Sequence, residues 1–149
     1  MPVIVYRLLE YSLNDVLSKE YGEEAANDLF RKAGYLAGSE FAGNVLDLSL
    51  PLNEFFSPLQ SKVAELQIGI LRIESFDEST GDITLTVAED LDCSGLPPTN
   101  EVVCNYDEGF ISGILGQYTQ TVYHVRETDC WANGARVCRF RGSVETNEP

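Results

Sequence analysis

Basic side chains are scarce in this sequence: ten Lys and Arg residues stand against 24 Asp and Glu, a formal net charge of −14. That balance repels phosphate backbones and anionic lipid head groups at long range, so direct nucleic-acid binding is not expected. Long apolar runs are lacking as well. The opening MPVIVYRLLEYSLNDVL carries one early arginine, Arg7, and acidic and amide residues break its apolar run before signal-peptide or membrane-spanning length. A cytoplasmic protein without a membrane span is expected. No internal repeat, low-complexity segment or dividing linker is present. Histidine occurs once, as His124, between Tyr123 and Val125 in an alternating stretch where a surface or core role is expected over catalysis. No nucleophile and base stand out as a pair, so no catalytic residue is assigned.

What is present suffices for one substantial core. With 149 residues, 44% of them hydrophobic, a single domain over 1–149 is predicted, its last residues 143–149 a frayed tail. Helical spacing is seen around Tyr6–Lys19 and again from Glu23 to Val45, where Ala26, Leu29, Phe30, Ala33, Ala37 and Phe41 share one stripe. Gly34, Gly38 and Gly43 in that second helix each lower its propensity by roughly 1 kcal/mol relative to Ala, which asks for compensating close packing by a helix, a sheet or a ligand. Leu52, Phe55, Phe56, Leu59, Val63 and Leu66 follow helical spacing too, with a fresh turn expected at Pro58 after Ser57 as N-cap. The period then changes to two. Segments 68–76 and 82–88 form a hairpin around DESTGD, 92–100 is a Gly and Pro loop, and a glycine-punctuated helix starts at Asp107. A second hairpin joins 121–128 to 135–142 through a turn with Asn133 and Gly134. The fold class is α+β: N-terminal helices packed on an antiparallel sheet, with a C-terminal helix and hairpin.

Four cysteines in a cytoplasmic chain should be reduced, so their spacing points to metal binding or packing before disulfides. Cys104 precedes a helix, Cys130 ends a strand and Cys138 lies in its partner strand. They converge if the helix packs back on the hairpin. Glu127, three residues before Cys130, is a candidate fourth ligand, and Cys93 is an alternative that would make the site all cysteine. Four protein ligands would close a zinc tetrahedron and leave no place for an activated water, which argues for a structural site. Spacing alone leaves burial as small hydrophobes equally open.

The run CNYDEGFISGILGQYTQTVYHVRETDCWANGARVCRF resembles the C-terminal signature of the 4-vinyl-reductase domain family, in which a Cys opens a glycine-punctuated helix and E-x-x-C is followed by a small-residue turn and C-x-F. The matching residues are Cys104, Gly109, Gly113, Glu127, Cys130, Gly134, Cys138 and Phe140, with KAGYLAGSEF and DCSGLP agreeing upstream. The resemblance implies a structural zinc on Cys104, Glu127, Cys130 and Cys138, with Cys93 left to loop packing. It also implies a fold like that of TRAPP subunits, a homodimer, and an apolar cavity for a hydrophobic small molecule. Aromatic-sensing relatives place a His and a Trp where an ungapped offset finds Phe55 and Ile83 here, which favours apolar ligands. Phe55, Leu59, Ile83, Ile114 and Val125 are the expected pocket residues. Trp131 is expected to shield the metal or a dimer contact.

The resemblance implies a sensory or carrier domain more than an enzyme. GFISGILG is not the G-x-G-x-x-G of a dinucleotide site, and it reads as helix–sheet packing. A tetrapyrrole 4-vinyl reductase or its accessory, and a TRAPP-like assembly scaffold, are the alternatives. The chain has no room for the ATPase and DNA-binding domains of the phenol sensors, so signalling would pass through a dimer or a partner protein. Val3–Leu9 and the first helix would form that interface or complete the monomer core.

Overall fold

The computed structural model describes residues 2–95 and 104–146. Helix α1 (Val3–Tyr21) ends at Gly22, whose φ of 90° suits glycine, and α2 (Glu23–Val45) begins at once. Glu23 and Glu24 occupy its first turn, where carboxylates complement the helix dipole. Helix α3 (Leu52–Glu65) runs unbroken through Pro58, where the sequence predicts a fresh start. Pro58 and Glu54 are both exposed, so the carbonyl that Pro58 leaves without a donor is open to water and the helix tolerates the ring.

Strands β1 (Ile70–Phe76) and β2 (Ile83–Ala88) form the first predicted hairpin. Asp77 closes its turn by accepting from the Ser79 amide at 2.8 Å and hydroxyl at 2.6 Å. Helix α4 (Asn105–Thr119) starts two residues before the predicted Asp107, because Cys104 takes the N-cap position. Strands β3 (Tyr123–Asp129) and β4 (Cys138–Val144) flank a short 3₁₀ turn, Trp131–Asn133. Strand β4 continues through Ser143 and Val144, which pair with His124 and Tyr123, so the predicted frayed tail begins as sheet. Residues 96–100 of the predicted loop and 147–149 of the tail lie outside the described residues.

The sheet is antiparallel throughout, in the order β1-β2-β4-β3. The two hairpins are thus joined by β2 pairing with β4, which sets Val87 opposite Cys138, Leu85 opposite Phe140 and Ile83 opposite Gly142. Alternation turns Ile83, Leu85 and Val87 inward with Cys138, Phe140, Tyr123, Val125 and Glu127. Helix α4 packs against this sheet through a core that includes Ile111, Ile114 and Leu115, and α3 packs by β1.

Helix α2 lies on α4 at backbone distance. A Cβ at Gly34 would stand 2.0 Å from the Tyr106 carbonyl oxygen, one at Gly38 2.1 Å from that of Phe110, one at Gly109 1.9 Å from that of Arg31, and one at Gly113 2.3 Å from that of Tyr35. The glycines of α2 are therefore explained by a helix. Helix α1 is held by polar groups: Arg7 donates to the carbonyls of Leu91 and Ser94, and Tyr11 donates to the carbonyl of Asp92. None of its residues is buried. Among the described residues no helix is long and apolar enough to cross a membrane.

Candidate metal centre and adjoining cavities

Four elements deliver one cysteine each. Cys93 lies in the turn after β2, Cys104 caps α4, Cys130 caps the 3₁₀ turn and Cys138 opens β4. All four are buried and free of disulfides. Their sulfurs stand 3.1 Å (Cys93–Cys138), 3.4 Å (Cys93–Cys104), 3.6 Å (Cys93–Cys130), 3.8 Å (Cys104–Cys130 and Cys104–Cys138) and 3.9 Å (Cys130–Cys138) apart. Every pair is close, so the sulfurs mark the corners of a tetrahedron. A zinc ion with thiolates at ~2.3 Å needs edges of about 3.8 Å. Geometry and donor type together fit a closed tetrahedral thiolate site.

The backbone favours thiolate at Cys130. Its sulfur accepts from the Ala132 amide at 3.4 Å, while its own amide donates to Asn133 Oδ1 at 3.1 Å. Hydrogen bonding with Cys104, then Cys138 and Cys93, pushes the Cys130 thiol down, and its contact with Cys130 is the first cause pushing Cys104 up. The unmetallated cluster thus concentrates its negative charge on one sulfur.

Glu127 stands beside the sulfurs and not at their fourth corner, where the sequence reading sets it. Its Oε1 accepts from the Cys104 amide at 3.2 Å and its Oε2 is buried with no hydrogen-bond partner. Burial, then the charge of Cys130, pushes its carboxyl up to about 8. The Glu127 amide donates to Glu108 Oε2 at 2.8 Å, and Glu108 Oε1 accepts from Arg31 at 2.8 Å, which ties β3 through α4 to α2. A bulge between Glu127 and Asp129 shifts the register just before Cys130.

A second group of acids, not singled out from the sequence, adjoins the sulfurs. Carboxylate oxygens of Asp90 and Asp107 lie within 4.8 Å of each other and of the Cys104 sulfur. Burial, then Asp92, pushes Asp90 up to about 7, and burial, then Asp90 and Asp92, pushes Asp107 well above the ordinary range. Glu10, reaching in from α1, is pushed up to about 8 by burial and Asp92.

A narrow apolar cavity of about 520 Å³, partly open to solvent, lies between α3, α4 and the β1–β2 half of the sheet, with Leu59, Val63, Leu71, Ile73, Ile111 and Ile114 in its wall. Of the predicted pocket residues, Leu59 and Ile114 line it. Phe55, Ile83 and Val125 do not: they are buried in the solid core. Phe55 stacks on Tyr118 at 3.9 Å, and Ile83 and Val125 both align with Gly142 across the sheet. The cavity occupies the other end of β2, at Leu85 and Val87. His124 is exposed, 3.3 Å from Glu145. Trp131 is half-buried and lines a groove with Val3, Arg7 and Asp90.

Helices over a four-stranded antiparallel sheet, with a thiol cluster where its strands meet α4, define a small α+β domain. Residues 83–144 match the model of the 4-vinyl-reductase domain family, which bears out the resemblance over that segment. Two uncharacterised proteins of Methanocaldococcus jannaschii are similar: one is 29% identical over 68% of this chain, the other 21% over 74%. The matched regions cover 62% and 63% of those proteins. Among solved structures, the phenol-responsive sensory domain of the transcription activator PoxR superposes with a TM-score of 0.72 at 15% identity, over 97% of this chain and 75% of that one. A vinyl-4-reductase family protein from Methanocaldococcus jannaschii gives 0.66 at 14% identity, over 98% and 83%. A trafficking protein particle complex subunit 3 from Naegleria fowleri, covalently bound to palmitic acid, gives 0.64 at 13% identity, over 97% and 98%. At these identities the likeness is one of fold.

Proposed function

We propose that this chain is a small-molecule-binding domain, sensory or carrier in role, that takes a hydrophobic compound between α3, α4 and the sheet. The observation that carries this is the apolar cavity of about 520 Å³ in a domain otherwise packed solid around Phe55, Val125 and Phe140. The PoxR sensory domain, which shares the fold, responds to phenol, and this lends support to a sensing role. Cys93, Cys104, Cys130 and Cys138 hold a structural zinc, and Glu127 supports it from outside the sulfur shell. Four thiolates leave no site for a reacting water, so the metal serves to pin the β2 turn, α4 and the β3–β4 hairpin together. Four reduced thiols suit a reducing, cytoplasmic compartment.

The domain acts as a homodimer through α1. Tyr6, Arg7 and Tyr11 face the body of the protein, and the opposite stripe, Val5, Leu8, Leu9 and Val16, is exposed. An amphipathic helix with its apolar side outward asks for a partner, and a second copy supplies the same stripe.

Native mass spectrometry of the chain purified from its own host tests the reading. The expected result is one zinc per chain and a retained apolar compound. Protein that carries neither, and that ultrafiltration with hydrophobic probes fails to load, would overturn it.

A further inference from the structure

The apolar cavity has one charged group in its wall, Asp107. Asp107, Ile68 and Phe110 also line a second cavity, of about 490 Å³, together with Tyr6, Leu91, Asp92 and Tyr106. The two spaces therefore share a wall that is apolar on either side of a carboxyl. Asp92 is 1% exposed; its Oδ1 accepts from the Tyr6 hydroxyl at 2.8 Å and its Oδ2 has no hydrogen-bond partner. Asp90, 2% exposed, leaves its Oδ2 unpartnered too, as Glu10 does its Oε2. Among the described residues no ion pair reaches Glu10, Asp90, Asp92 or Asp107. Arg7, on the same helix as Tyr6 and Glu10, gives its guanidinium to the Leu91 and Ser94 carbonyls instead.

Buried acceptors gathered without a donor are costly, and the cost is relieved by a group that brings donors and positive charge. We propose that the compound bound is an amphiphilic cation: an alkyl- or arylalkyl-ammonium whose apolar body fills the cavity between α3, α4 and the sheet and whose ammonium sits against Asp107 and Asp92. The proposal rests on the apolar cavity being the ligand site, as argued above, and adds the head group. An ammonium carries three donors and no acceptor, which suits oxygens that lack partners. A carboxylate or phosphate head group meets like charge at the same place and is rejected. A bare metal ion would satisfy the carboxyls but leave the adjoining apolar space without an occupant.

Three probes with one ten-carbon tail separate these cases: decylamine, 1-decanol and decanoate, each titrated below its micellar range into the protein as purified. Decylamine is expected to bind about tenfold more tightly than decanol, as a charge-assisted hydrogen bond allows, with decanoate weakest. Asp107→Asn should remove the preference for the amine and leave decanol affinity unchanged; Asp92→Asn serves the same purpose if the first variant fails to fold. Decanol binding as tightly as decylamine overturns the head-group assignment while leaving the cavity as the site. Manganese(II) taken up stoichiometrically and not displaced by decylamine assigns the carboxyls to a metal ion and overturns it as well. If none of the three tails binds, the cavity reading and this proposal fall together.

Discussion

Cys93 comes to the sulfur cluster from a turn that the chain enters immediately after β2, and it makes the shortest sulfur contact of the four, 3.1 Å to Cys138. Glu127 reaches the same place from β3 but spends one oxygen on the Cys104 amide. The two residues are separable by cobalt(II) substitution, because thiolate ligands give charge-transfer absorption that a carboxylate does not. Cys93→Ser should remove about a quarter of that absorption, one thiolate of four, and Glu127→Gln should leave it intact. The opposite pattern would return the carboxylate to the metal. The residue types of the site were legible in the sequence, and Cys104, Cys130 and Cys138 meet as their spacing predicts. Cys93 could be read only as an alternative corner, because its approach depends on β2 pairing with β4 across an intervening helix. Spacing along the chain reports neighbours within a hairpin and is silent on that pairing.

At the scale of elements, periodicity located every helix and strand to within a few residues, since burial of one face imposes 3.6 on a helix and 2 on a strand. The cavity was harder. Leu59 and Ile114 were found from the apolar pattern, but Phe55, Ile83 and Val125 carry the same pattern into solid core, and only the packing of α3 and α4 over the sheet tells the two apart. The α2–α4 seam gives a sharper test of how packing sets stability. Gly34→Ala puts a methyl group against a backbone oxygen and is expected to cost about 3 kcal/mol or more, the upper end for overpacking. Gly43 in the same helix meets nothing closer than Gln117 Nε2 at 3.9 Å, so Gly43→Ala should stabilise by up to about 1 kcal/mol. Chemical denaturation of both variants checks the contrast, and equal effects would show that propensity, not the seam, governs these positions.

For the molecule as a whole, charge and apolar surface oppose each other. Each chain carries −14, which drives copies apart, while Leu8 and Leu9 on α1 are 63% and 68% exposed and favour association. Light scattering after gel filtration should give the mass of a dimer that tightens as salt screens the repulsion. Leu9→Glu should halve that mass without lowering the cooperativity of unfolding, because the side chain contributes nothing to the monomer core. A wild-type monomer at high salt would exclude α1 as a dimer contact.

The glycine seam has a further consequence for how this chain can change over generations. An intruding side chain in an ordinary core is relieved by shrinking the side chain it strikes, so a second mutation elsewhere restores the fold. At Gly34, Gly38, Gly109 and Gly113 the obstacle is a main-chain carbonyl, which every residue carries. No substitution on the facing helix can make it smaller. Selection for recovery from a lesion at one of these four positions should therefore return the original glycine and few compensating changes across the seam.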